Sequence, residues 1–138
     1  MGSVIAEFHP ETFDAFFADP LKDFPSLADD LLADFILYKS TDQLPATFGR
    51  DAPYTEPWAA YNAGIMHIHL KLPPDSFPPK KPQIDRTTDT ALVYVRGELE
   101  ENRYLILAVL HPDAHAKARE EKIMRYLARL AKTFRDTH

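Results

Sequence analysis

The sequence predicts an α+β fold from three observations. An apolar rhythm of four residues links Leu27, Leu31 and Phe35, two strand-like runs flank a short polar stretch within residues 91–110, and an amphipathic stripe closes the chain. The expected architecture is two N-terminal helices, a small antiparallel sheet of three to four strands and a C-terminal amphipathic helix. All belong to a single domain of residues 1–138, in which residues 1–25 form a divergent N-terminal segment.

The first helix is expected over residues 10–18, where Pro10 suits an initial helical turn, Glu11 favours the helix N-terminus and Pro20 lies just beyond the end. The second should start after Ser26, a cap with Asp29 three residues on, and run to Tyr38 or Lys39. Residues 44–61, rich in proline and aromatic residues, read as irregular. Gly64 opens a strand, IMHIHLKL, that sets Met66, Ile68, Leu70 and Leu72 on one face and Ile65, His67, His69 and Lys71 on the other. A proline-rich loop follows over residues 72–83. ALVYVR (91–96) and YLILAVL (104–110) then form a hairpin about residues 97–103, and the almost wholly apolar second run suits a central strand. From Pro112 and Asp113 the chain turns helical, with Ile123, Leu127, Leu130 and Phe134 as the buried stripe and Lys122, Arg125, Arg129, Lys132 and Arg135 around it.

At 45% hydrophobic residues the chain should bury a core. It has no cysteine, which excludes thiol nucleophiles, disulfides and thiolate metal sites. No apolar run approaches the roughly 20 residues of a membrane span, and residues 1–11 lack the basic start and apolar stretch of a signal peptide, so a soluble cytoplasmic protein is expected with no membrane partner. The net charge of −5 weighs against indiscriminate nucleic-acid binding, but it is unevenly spread. Residues 1–45 carry 9 acidic and 2 basic side chains, leaving 12 acidic and 14 basic in residues 46–138. A local basic surface therefore remains available.

His67 and His69 sit two apart on a strand and aim their imidazoles to one side. They fit a general base and acid, a pair of metal ligands, or a structural pair. A metal would need a third ligand; Asp85, Asp89, His111 and His115 are available, none at diagnostic spacing. Arg86, at a strand entrance, suits a phosphate clamp or a turn with Thr88 and Asp89. Arg50 follows Gly49 in the irregular segment and suits phosphate contact or a turn fixed by Asp51. Tyr94 is a packed aromatic or a hydroxyl reaching a site on the face of Arg96. His111 and His115, four apart, suit a cap or solvated face. No glycine-rich phosphate loop, nucleophile elbow or zinc-finger spacing is present.

The ordered stretches FILYKSTDQLPATFGRDAPY (35–54), MHIHL (66–70), RTTDTALVYV (86–95), YLILAVLHPDAHAKAR (104–119) and a closing helix ending in AKTFR resemble the YafO family of type II toxins. The resemblance implies a ribosome-dependent mRNA interferase neutralised by a YafN-like antitoxin, with a RelE-like architecture of a small antiparallel sheet and helices. It implies metal-independent cleavage without a cofactor, in which the 2′-hydroxyl attacks the adjacent phosphate. The motifs then offer His67 and His69 as base and acid, Arg86 as clamp, Asp89 as orienting group and Tyr94 as a stacking or proton-transfer residue. Arg50, Lys71 and Arg96 are the expected RNA contacts, and the ribosome and mRNA the expected partners alongside the antitoxin. Two other readings stay open: a metal-dependent hydrolase built on His67 and His69, and a non-catalytic ribosome- or partner-binding module.

Overall fold

The computed structural model describes residues 3–138. In chain order these form β1 (Ile5–Phe8), a π-helical turn (Asp14–Ala18), α1 (Leu27–Thr41), β2 (Phe48–Pro53), α2 (Trp58–Asn62) and β3 (Met66–Leu70). A 3₁₀ turn (Gln83–Asp85), β4 (Ala91–Arg96), β5 (Arg103–Leu110), α3 (Ala114–Ala118) and α4 (Glu121–Thr137) complete the fold.

One five-stranded sheet, ordered β1-β5-β4-β3-β2, forms the middle layer. The β2–β3, β3–β4 and β4–β5 pairs are antiparallel, but β1 runs parallel to β5, with Ile5 opposite Arg103 and Phe8 opposite Ile106. The sheet is thus mixed, with one strand more than the largest number expected. β1 escapes sequence reading because it is a four-residue edge strand, half-exposed on alternate residues, whose partner lies at the far end of the chain. β2 escapes because a bulge between Phe48 and Asp51 breaks the alternation that marks a strand.

Both faces of the sheet are covered. On one, Phe48, Ile68, Leu92, Tyr94 and Ile106 pack against Phe17, Leu31 and Phe35 of the N-terminal half. On the other, Ile65, Val93, Val95 and Leu107 pack against Met124, Leu127, Ala131 and Phe134 of α4. This double burial explains the unbroken apolar run of β5. The N-terminal helix expected over residues 10–18 is a short π-helical turn. Thr12 is buried and its N–H and hydroxyl turn back to the His9 carbonyl, while Phe13 and Phe17 stack beside Phe8. Phe16 lies instead on Tyr126 of α4, so this segment packs against both sides rather than presenting one helical stripe. α1 begins where expected, but the Ser26 side chain makes no capping bond. α4 buries Met124, Leu127, Ala128, Leu130, Ala131 and Phe134, which shifts the expected stripe by one residue at its start.

Candidate functional site

Strand register places the two histidines of β3. His67 lies opposite Val93 and His69 opposite Ala91, both of which pack toward α4, so the imidazoles face the α2–α3–α4 layer. Their rings are 5.4 Å apart. His115, in the first turn of α3, extends the row with its ring 6.0 Å from that of His69.

Each ring is held differently. His67 lies flat on Tyr54, with ring centroids 3.9 Å apart and planes within 7°. Its Nδ1 is buried with no hydrogen-bond partner among the described residues. Burial, then the neighbouring His69, lowers the His67 pKa to about 4, so its ring is neutral at physiological pH. His69 is buried, and Thr88 presents both groups of its main chain to Nδ1, the carbonyl at 2.9 Å and the N–H at 3.0 Å. The ring keeps its anchor in either tautomer. Burial lowers its pKa as well, against the opposing pull of the Thr88 carbonyl.

Asp89 anchors His115. Its Oδ1 lies 2.6 Å from His115 Nδ1 and accepts the His115 main-chain N–H at 2.9 Å, while the Asp89 carbonyl accepts the Ala114 N–H. A carboxylate can only accept here, so Nδ1 carries the proton and Nε2 is the free nitrogen. These contacts, led by the His115 main-chain N–H, hold the Asp89 carboxyl below its usual range. RTTDT thus serves three places: Arg86 the proline-rich loop, Thr88 His69, and Asp89 α3.

The FGRD segment is equally divided. Gly49 passes so close to Arg86 that an added Cβ would sit 2.2 Å from its carbonyl oxygen, and the Arg50 N–H donates to that oxygen. Asp51 turns to the α1 face, accepting from Tyr38, Lys39 and Tyr94 at 2.7–3.0 Å. Arg50 is exposed, and its positive charge opposes protonation of both His67 and His69.

The remaining expected residues lie elsewhere. Arg86 is 5% exposed; its guanidinium donates to the carbonyls of Lys81, Phe48, Pro78 and Pro79 and lies over the Phe77 ring. Its donors face the protein, fastening the proline-rich loop to β2. Tyr94 is on the α1 face, where its hydroxyl donates to Asp51 and accepts from Lys39. Lys71 lies over Phe77, and Arg96 pairs with Glu101 at the hairpin end of β4. His111 bonds Thr90, apart from the histidine row. Among the described residues no group of three or more His, Asp or Glu side chains has the arrangement of metal ligands.

His67 and His115, but not His69, line a groove of about 910 Å³ together with Tyr54, Trp58, Arg119 and Arg125, among others. Trp58, Arg119 and Arg125 are not singled out by sequence spacing, and His115 is offered there only as a spare metal ligand, a cap or a solvated residue four from His111. The available signal for His115 is topological: HPDAH leaves the end of β5 that pairs with the start of β4, beside His69.

A model of the family described as toxin YafO of type II toxin–antitoxin systems matches residues 36–136. The mRNA interferase toxin YafO of Escherichia coli (strain K12) is 41% identical over 112 residues, covering 78% of this chain and 84% of that protein. No solved structure matches.

Proposed function

This chain belongs to the YafO toxin family of type II toxin–antitoxin systems, and from that membership we propose that it is an endoribonuclease that cleaves mRNA at the row His67–His69–His115. The observation that carries the siting is the junction of three imidazoles, two held toward the neutral form by burial and one bound to a carboxylate, of which His67 and His115 line the groove.

The chemistry needs a base for the 2′-hydroxyl, an acid for the departing 5′-oxygen and positive charge at the phosphate. His69 suits the base. With its Nδ1 proton on the Thr88 carbonyl, Nε2 has a free lone pair, and gaining a proton there leaves that bond intact. His115 suits the acid, since the Asp89 carboxylate holds its Nδ1–H and fixes the ring so that a proton on Nε2 is the transferable one. In the reaction His69 takes the 2′-proton as the 2′-oxygen bonds to phosphorus. The P–O5′ bond then breaks and His115 protonates the leaving oxygen, giving a 2′,3′-cyclic phosphate and a 5′-hydroxyl. His67, neutral and lining the groove, lies beside the phosphate, and Arg50 supplies the cation. Asp89 retains the orienting role proposed from sequence. Arg50 takes over the phosphate contact assigned there to Arg86, whose donors are bound internally.

Ribosome-bound mRNA is the proposed substrate. A chain of net charge −5 with few cations at its groove gains most from a partner that aligns the RNA. A cognate YafN-like antitoxin would neutralise the toxin. The experiment is induction in bacteria of wild type and a His69→Ala/His115→Ala double variant, with mRNA ends mapped on ribosomes and on the same RNA free in solution. New ends on ribosomes that vanish in the folded variant support the reading. Growth arrest without new ends, or ends that survive the variant, overturns it.

A further inference from the structure

Trp58 is the single tryptophan of the chain and is 72% exposed, an unusual position for so large an apolar ring. It opens α2 and lines the groove that holds His67 and His115. The groove also carries Arg119, between α3 and α4, and Arg125 of α4. Arg125 is paired with Glu121 at 3.5 Å, but both side chains are two-thirds exposed. Such a pair contributes little, so Arg125 can exchange its partner for a phosphate. Glu56, two residues before Trp58, also lines the groove and disfavours a phosphate beside the indole. An exposed indole that shares one groove with two arginines, against the carboxylates of Glu56 and Glu121, offers a ring for a base and cations for its backbone.

We propose that Trp58 is a nucleobase-stacking subsite, where a nucleotide flanking the scissile phosphate lays its base on the indole while Arg119 and Arg125 hold its backbone. This rests on the reading of the chain as an mRNA endoribonuclease and adds to it a binding site for one unpaired nucleotide. Stacking tolerates any base, so the subsite sets distance along the strand and holds the RNA in place without reading sequence.

The test compares cleavage of a defined mRNA on programmed ribosomes by wild type, Trp58→Ala and Trp58→Phe, with antitoxin neutralisation measured for each. The exposure of Trp58 makes the alanine variant compatible with folding, which a thermal melt verifies. Cleavage should fall by about 5- to 150-fold in Trp58→Ala, the range of base–aromatic stacking, and recover largely in Trp58→Phe. An alanine variant that cuts at the wild-type rate and positions overturns the subsite while leaving the nuclease reading standing. So does a loss that phenylalanine does not restore, or an alanine variant that cuts normally but escapes the antitoxin, which would assign the groove to the antitoxin. If wild type itself makes no cuts, the nuclease reading fails first, before any variant is compared.

Discussion

His115 presents two N–H groups to one oxygen of Asp89: the ring Nδ1 at 2.6 Å and the main-chain N–H at 2.9 Å. One carboxylate thereby fixes both the start of α3 and the orientation of an imidazole at the groove. If His115 is the acid, His115→Ala should lower cleavage by about 10²- to 10⁴-fold. Adding Asp89→Asn to it should cost little more, because the two act as a unit. Single-turnover rates of the two single variants and the double variant check this; additive losses would mean that Asp89 acts independently of His115.

Arg86 holds the proline-rich loop through carbonyl acceptors alone. Arg86→Ala should therefore cost about 3 kcal/mol of stability by leaving those acceptors without donors. Arg86→Lys should recover only part, since an ammonium cannot reproduce the fork of donors. Urea unfolding measures both. A variant as stable as wild type but inactive would return Arg86 to the phosphate.

On the far face, Lys39 sits among the rings of Phe35, Tyr38, Tyr94 and Tyr104 and bonds Asp51 at 3.0 Å. Tyr94→Phe removes one hydroxyl from this network and should cost about 1–2 kcal/mol. It should leave the rate per folded molecule and the cut positions unchanged. Altered cut positions would place Tyr94 in contact with RNA.

Proton binding supplies a further check. His67 titrates near 4 in the folded protein and near 6.5 when unfolded. Between these values the unfolded chain binds more protons, so His67 makes stability fall as pH drops from about 6.5 toward 4. His69 acts in the same direction. His67→Phe, which keeps an aromatic ring on Tyr54, should flatten the decline. Urea midpoints at pH 7 and pH 5 compare the two proteins; equal slopes would remove His67 as a source of acid lability.

Local patterns made much of the fold legible. The rhythm of Leu27, Leu31 and Phe35, the alternation about His67 and His69, and the β4–β5 hairpin depend on neighbours in sequence, and the structure places these elements close to their expected bounds. What stayed hidden depends on distance. β1 is defined by β5, and β2 by its bulged pairing with β3. The same distinction runs through the candidate site. The shared side of His67 and His69 follows from their spacing, whereas His115 and Trp58 reach the groove only through the order of strands and helices. Arg86 and Tyr94 show the converse. Residue type suggested chemistry, but sheet face and burial turned both side chains toward the interior.

The parallel pairing of β1 with β5 also bears on when the toxin becomes dangerous. Ile5 meets Arg103, Asn102 binds the Ser3 carbonyl, and the row of imidazoles is completed only by His115. A chain still being synthesised has neither its finished sheet nor its third histidine until its final quarter has emerged, and such long-range closure is intrinsically slow. With the row as the active centre, the ribosome that makes the toxin would not meet a working nuclease while the polypeptide is being built, and products truncated before His115 should be harmless to the cell that produces them.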